Sequence, residues 1–185
     1  MSLKDFQKTL SEVTLTNGDE KISSYDEIIL ELVKTFSEVK RAGGMAYFVG
    51  NGGSAGIAIH MTSDFLKNGE MRTHSMHDPS VMTCLANDFG YENVFSKQLE
   101  IVAEPNDLLV AISSSGESPN ILQAIGGGRL KLCKVVTLSG FNPNNSLRKL
   151  GDLNLYVPSM EYGIVESIHN MILQDVVDAL KERKS

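Results

Sequence analysis

Apolar residues recur at two different spacings along this chain, and the spacing changes near residue 44. Upstream of that point they fall at helical intervals, at Ile28, Ile29, Leu32, Val33, Phe36 and Val39. Gly43 and Gly44 then supply a signal that is typical of a helix C-terminus. The pattern therefore predicts a helical N-terminal extension over residues 1–44.

From residue 45 onward, short apolar runs alternate with turn residues and helical stretches. The runs are residues 45–49, 108–112, 135–138 and 153–157, with a weaker candidate at 71–76. Continuous apolar strands that alternate with helices are typical of a parallel sheet covered on both faces. A closing helix is expected over residues 165–182. The whole chain is interpreted as one domain, residues 1–185, with an α/β core over residues 45–185.

Composition narrows the possible ligands. The chain has 185 residues and a net charge of −6, which argues against nucleic acid as a partner because duplex affinity depends on phosphate neutralisation. It leaves small phosphorylated ligands open, because backbone N–H groups at a helix N-terminus hold a phosphate without a basic patch. No apolar run is long enough to span a membrane and no secretion signal precedes residue 20, so a cytoplasmic location is expected.

Two small polar loops follow predicted strands, where parallel sheets bind their ligands. The first is Gly50-Asn-Gly-Gly-Ser54 and the second is Ser113-Ser-Ser-Gly-Glu-Ser118. Glycines admit close backbone approach to an anion, and serine hydroxyls can donate to it. Neither loop has the spacing of an NTP-binding or dinucleotide-binding motif, and no aromatic residue accompanies the serines to stack on a flavin or a base. A nucleotide cofactor is therefore not expected.

Together these loops resemble a known family. GNGGSA at residues 50–55, Asn87-Asp88 with GYENVFSKQ after it, and ISSSGESPNI at 112–121 are similar to the sugar isomerase (SIS) domain. Within that family they resemble the phosphoheptose isomerase branch, which acts on sedoheptulose 7-phosphate in the supply of surface polysaccharides. The resemblance runs from about residue 24 to residue 180. It implies a flavodoxin-like three-layer sandwich with a five-stranded parallel sheet, and a homotetramer whose sites lie between subunits.

The resemblance also assigns roles to individual residues. The implied substrate-binding residues are Asn51, Gly52, Gly53, Ser54, Asn87, Asp88, Ser113, Ser114, Ser115, Ser118 and Glu166. The implied ligands of a divalent metal are His60, Asp64, Glu166 and Gln174. His169 corresponds to a family residue that binds no metal, so it is interpreted as structural.

The metal and acid–base positions are where the chain departs from the family. Asp64 replaces a glutamate, Glu166 replaces a glutamine, and Gln174 replaces a histidine that is both a metal ligand and a catalytic acid. Glutamine transfers no proton at neutral pH. Asp64 and Glu166 are consequently the candidate catalytic residues for aldose–ketose isomerisation, and zinc binding is expected to be weaker than in the family. The alternative is a non-catalytic SIS module that binds a sugar phosphate or a protein partner.

Overall fold

The computed structural model describes residues 2–182 and contains a seven-stranded mixed sheet with helices on both faces. The strands are β1 (Thr14–Asn17), β2 (Glu20–Ile22), β3 (Met45–Val49), β4 (Arg72–Ser75), β5 (Leu108–Ser113), β6 (Lys134–Ser139) and β7 (Leu153–Tyr156). The α-helices are α1 (Leu3–Ser11), α2 (Tyr25–Arg41), α3 (Gly53–Lys67), α4 (Pro79–Phe89), α5 (Ser96–Val102), α6 (Pro119–Leu130) and α7 (Tyr162–Glu182). Short 3₁₀ turns lie at Tyr91–Asn93 and Leu147–Lys149.

The strand order across the sheet is β2-β1-β7-β6-β5-β3-β4. Strands β3 to β7 are parallel and correspond to the five apolar runs of the sequence, including the weak one. The three-layer α/β prediction is therefore confirmed. The predicted number of five strands is wrong for the sheet as a whole, because β1 and β2 add an antiparallel hairpin at one edge.

That hairpin also corrects the prediction of a wholly helical extension over residues 1–44. Its two-residue turn is Gly18-Asp19 between the paired Asn17 and Glu20, and Gly18 adopts the positive φ of +57° that the first central position of a hairpin turn favours in glycine. Leu15 is fully buried and lies opposite Leu155 of β7. Strand β1 is short and is stabilised by pairing with β7, whose residues lie 140 positions further along the chain. Because that partner is so distant, the helical periodicity of the neighbouring segments gave no sign of the strand.

Side chains on alternate strand positions fill two separate apolar layers. On one face Phe48 of β3 packs with Phe36 of α2 and Phe65 of α3, whose ring centroids lie 4.5 Å apart. On the other face Tyr47 and Leu109 pack beneath α5 and α6. The period of two in the strands thus places α2, α3 and α7 on one side of the sheet and α5 and α6 on the other.

The chain reverses its direction of travel across the sheet between β3 and β5, which are neighbours. From β3 the chain moves outward to β4, and from β5 it moves the opposite way through β6 to β7. Loops that leave two such strands diverge to opposite faces and open a crevice at their carboxyl ends. Both polar loops of the sequence leave β3 and β5, so the fold brings them together. Among residues 2–182, every helix is either too short or too polar to traverse a lipid bilayer.

Candidate functional site

A cavity of about 450 Å³ lies at the carboxyl ends of β3 and β5. The predicted residues that line it are Asn51, Gly52, Gly53, Ser54, Ser113, Ser114, Ser115, Ser118 and Glu166. Ile112 and Tyr162 also line it and were missed from sequence. No lysine or arginine among residues 2–182 lines the cavity, so backbone amides and hydroxyls are the groups these residues offer an anion.

The first loop, Gly50–Ser54, connects β3 to α3 through a tight turn, in which the Ala55 N–H donates to the Asn51 carbonyl at 3.3 Å. Gly52 occupies the position before the helix with a φ of +54°, and the Gly56 N–H donates to its carbonyl. A Cβ on Gly50 would lie 2.5 Å from the Ser54 backbone, which leaves no room for a side chain. Gly52 and Gly53 carry no side chains, so the N-terminus of α3 lines the cavity with its backbone.

The second loop, residues 113–118, gathers its hydroxyls around Ser113. Ser113 Oγ lies 3.1 Å from Ser118 Oγ and 3.4 Å from Ser115 Oγ, and it accepts from the Gly116 N–H at 3.2 Å. Gly116 has a φ of +68°, which a side chain rarely adopts. Ser114 Oγ is buried and has no hydrogen-bond partner in the described part of the chain. A buried hydroxyl without a partner is costly.

An amide pair that the sequence did not predict joins the two loops. Asn51 Nδ2 donates to Asn120 Oδ1 at 2.8 Å, and Asn120 Nδ2 donates back to Asn51 Oδ1 at 2.9 Å. The Tyr91 hydroxyl donates to the same Asn51 oxygen at 3.0 Å. The Asn51 side chain thus ties the first loop to the start of α6, and its amide is engaged by Asn120 and Tyr91.

Among the described residues, Glu166 is the one carboxylate that lines the cavity. It extends from the first turns of α7 toward the N-terminus of α3, so close that a Cβ on Gly53 would overlap its carboxyl group. Partial burial raises the pKa of Glu166 above the usual glutamate value. A raised pKa brings the group closer to the range in which a carboxylate both accepts and returns a proton.

The predicted metal ligands are not brought together within one chain. His60 Nε2 lies 3.6 Å from Asp64 Oδ2 on α3, as the spacing of four residues predicts. Gln174 lies eight residues beyond Glu166 on α7, and its Nε2 donates to Asp178 Oδ1 at 3.4 Å. Within residues 2–182, no three His, Cys, Asp or Glu residues lie close enough together to hold a metal ion. The four-ligand set stays a prediction, because one chain brings only His60 and Asp64 of it together.

Asn87 and Asp88 also lie apart from the cavity. Both are exposed on α4, where Asn87 Nδ2 donates to Asp88 Oδ1 at 2.9 Å. The prediction that they contact the ligand therefore stays open, since neither residue lines the cavity of its own chain. His169 is fully buried, and its Nε2 lies 3.1 Å from the Ser139 carbonyl oxygen. Its packing role is as expected, since its side chain lies in the protein interior.

Comparisons with known proteins agree with this geometry. The SIS domain family model matches residues 10–140. The chain is 34% identical over 156 residues to the phosphoheptose isomerase of Solidesulfovibrio magneticus, covering 81% of this chain and 76% of that one. It superposes on a phosphoheptose isomerase from Francisella tularensis with a TM-score of 0.79 and 27% identity, covering 84% and 86% of the two chains. The corresponding protein of Neisseria gonorrhoeae gives a TM-score of 0.78 and 26% identity over 83% and 86%. The resemblance stated from the motifs is confirmed.

Proposed function

The chain belongs to the SIS domain family, and we propose that it is an enzyme that interconverts the aldose and ketose forms of a sugar phosphate. The observation that carries this proposal is the meeting of two glycine- and serine-rich loops and one carboxylate in a single cavity of about 450 Å³. The phosphoheptose isomerases to which the chain is similar support sedoheptulose 7-phosphate as the first substrate to test. Its product would supply a surface polysaccharide.

The phosphate would bind at the second loop. The hydroxyls of Ser115 and Ser118 lie 3.4 and 3.1 Å from the Ser113 hydroxyl, at the N-terminus of α6. Ser114 lines the same cavity beside them. Hydroxyl and amide donors aimed at one point hold a phosphate dianion, and the dipole of α6 adds to the attraction.

Proton transfer would be the part played by Glu166. Isomerisation removes the proton from the carbon beside the carbonyl, passes through an enediolate and returns a proton to the neighbouring carbon. Glu166 lines the cavity, and its raised pKa suits both halves of that transfer. The N-terminus of α3, adjacent to Glu166, would stabilise the negative charge that develops on the substrate oxygen. Asp64, the other candidate base, does not line the cavity.

Assembly is expected to complete the site. Helix α4 contributes no fully buried residue and carries Asn87 and Asp88, while Phe89 and the adjacent Tyr91 are about half exposed. A second copy that covers this helix would bury its apolar residues and bring the Asn-Asp pair toward a neighbouring cavity. A tetramer is the assembly that the resemblance implies, and light scattering should give a mass well above the 20.2 kDa of one chain.

A proton-exchange assay tests the proposal. The protein is incubated with sedoheptulose 7-phosphate in D₂O, and deuterium at the carbon beside the carbonyl is followed by NMR together with the appearance of aldose. Glu166→Gln should slow exchange by about 10²-fold or more while sugar-phosphate binding persists. Glu182→Gln, at the far end of the same helix, is the matched control and should exchange at the wild-type rate. Asp64→Asn tests the competing base.

The outcomes separate the alternatives. Loss of exchange in Asp64→Asn with full activity in Glu166→Gln would move the base to α3. Binding of the sugar phosphate by the unmodified protein, without exchange or turnover, would favour the non-catalytic module.

A further inference from the structure

His77 lies directly behind the first loop and outside the cavity lining. It follows β4, and its Nε2 lies 3.0 Å from the Gly50 carbonyl oxygen. Its Nδ1 lies 3.1 Å from Ser75 Oγ, and its ring meets the Phe95 ring edge-on at 5.2 Å between centroids. Both ring nitrogens and one ring edge are therefore engaged, which leaves the imidazole little freedom to rotate.

The partners determine where the imidazole proton lies. The Gly50 carbonyl can only accept a hydrogen bond, so Nε2 must carry the proton and donate it. Nδ1 then accepts from the Ser75 hydroxyl. Burial lowers the pKa of His77 below the usual histidine value, which keeps this neutral form at physiological pH.

A fixed Gly50 carbonyl has a consequence on the opposite side of the loop. The peptide unit is planar and trans, so its C=O and N–H point in opposite directions. A carbonyl that is held toward His77 directs the Asn51 N–H away from His77. Asn51 lines the cavity and His77 does not, and the Asn51 side chain is held separately by Asn120.

We propose that His77 is a positioning residue that orients the Gly50–Asn51 peptide unit, so that the first loop presents its amide edge to the bound sugar phosphate. This rests on the proposed function, since it assigns a role within the same site. Without the hydrogen bond, the peptide plane of a glycine-rich turn can rotate, because Gly50 restricts its own backbone very little. Ligand-binding backbone amides depend on neighbouring residues that hold them in the orientation the ligand requires.

The test compares variants that separate the hydrogen bond from the packing. His77→Phe keeps a planar ring against Phe95 and removes the donor. His77→Gln keeps a donor, because its Nε2 is separated from Cβ by two atoms, as in histidine. His74→Phe is the matched control, since His74 is exposed on β4 and contacts Tyr47 edge-on rather than the loop. Sugar-phosphate affinity is measured by calorimetry, and global stability by urea unfolding.

His77→Phe should weaken binding by about three- to tenfold, the equivalent of one lost hydrogen bond, while His77→Gln restores most of it. The control should bind as the wild type does. Wild-type affinity in His77→Phe would overturn the proposal, and so would equal weakening in the Gln variant at unchanged stability. If His77→Phe does not fold, ¹⁵N NMR of the wild-type imidazole decides, because a proton on Nδ1 contradicts the assigned contact. That measurement needs no ligand, so a protein that binds no sugar phosphate refutes the proposed function and still reports on His77.

Discussion

Gly53→Ala is the sharpest perturbation of the site because it displaces one functional group and little else. An ideal Cβ at this position would lie 2.5 Å from Glu166 Cδ and 2.6 Å from Oε1, whereas ordinary contact begins at 3.4 Å. The colliding atoms are the end of a flexible side chain, so Glu166 moves and the backbone stays. The required displacement of the carboxyl group is about 1 Å, the difference between those contacts.

A shift of that size is large for a group that transfers a proton. Misplacement by about 1 Å can cost on the order of 10²-fold in rate, so we expect kcat to fall by about 10- to 100-fold. Stability should change little, because Gly53 has an ordinary negative φ and alanine is the better helix former, by at most about 1 kcal/mol. Gly56→Ala lies one turn further along α3, where a Cβ meets nothing within 4 Å, and serves as the matched control.

The assay is steady-state turnover of the sugar phosphate, with urea unfolding of each variant in parallel. The expected result is a loss of kcat in Gly53→Ala, unchanged kcat in Gly56→Ala, and free energies of unfolding within about 1 kcal/mol of wild type for both. Full kcat in Gly53→Ala would refute the reasoning, because it would mean that the position of the Glu166 carboxyl group does not limit the reaction.

Ser115→Ala should weaken sugar-phosphate binding by about 1–2 kcal/mol in calorimetry with the fold intact; unchanged affinity would remove this hydroxyl from the phosphate site. Gly127→Ala should lower the free energy of unfolding by about 1–3 kcal/mol, because the new Cβ would lie 2.9 Å from the Ser96 carbonyl oxygen where α6 crosses α5. Gly126→Ala is the control and should not destabilise, because a Cβ there has no atom within 4 Å. Burial lowers the pKa of His169 to about 4, so the unfolded chain binds a proton that the folded chain excludes, and stability should fall by up to about 3 kcal/mol as the pH drops from 6.5 toward 4. His169→Phe should flatten that part of the stability profile measured by urea unfolding, and a profile as steep as the wild type would contradict the assignment.

Local patterns predicted much of the architecture. Apolar runs of four to six residues, each followed by turn residues, indicated the five parallel strands, and two of these runs lead into the glycine- and serine-rich loops. Those features depend on near neighbours in the chain: the pleat of a buried strand, the helical period and the conformational needs of a tight turn. The spacing of His60 and Asp64 likewise predicted their contact, because four residues make about one helical turn.

Features that depend on distant partners escaped this reasoning. The hairpin of β1 and β2 needs β7, the amide of Asn51 needs Asn120, and the carbonyl of Gly50 needs His77. In each case the residue types are ordinary and the sequence separation is large, so no short-range spacing marks the pair. The Gly18-Asp19 dipeptide was a local turn signal for the hairpin.

The amino-acid pattern alone indicated a parallel sheet with glycine- and serine-rich loops at the ends of two strands. It also identified Asp64 and Glu166 as the carboxylates that could transfer a proton. The tertiary structure decided which of those carboxylates lies with the loops. Glu166 reaches the cavity because α7 packs beside α3 with its first turns next to Gly53, whereas Asp64 lies three turns down α3. Gln174, eight residues beyond Glu166, is displaced from it by about 12 Å along the helix axis. Helical spacing determines which side chains share one face of a helix. Whether that face borders the cavity depends on how the helices pack and on the order of the strands.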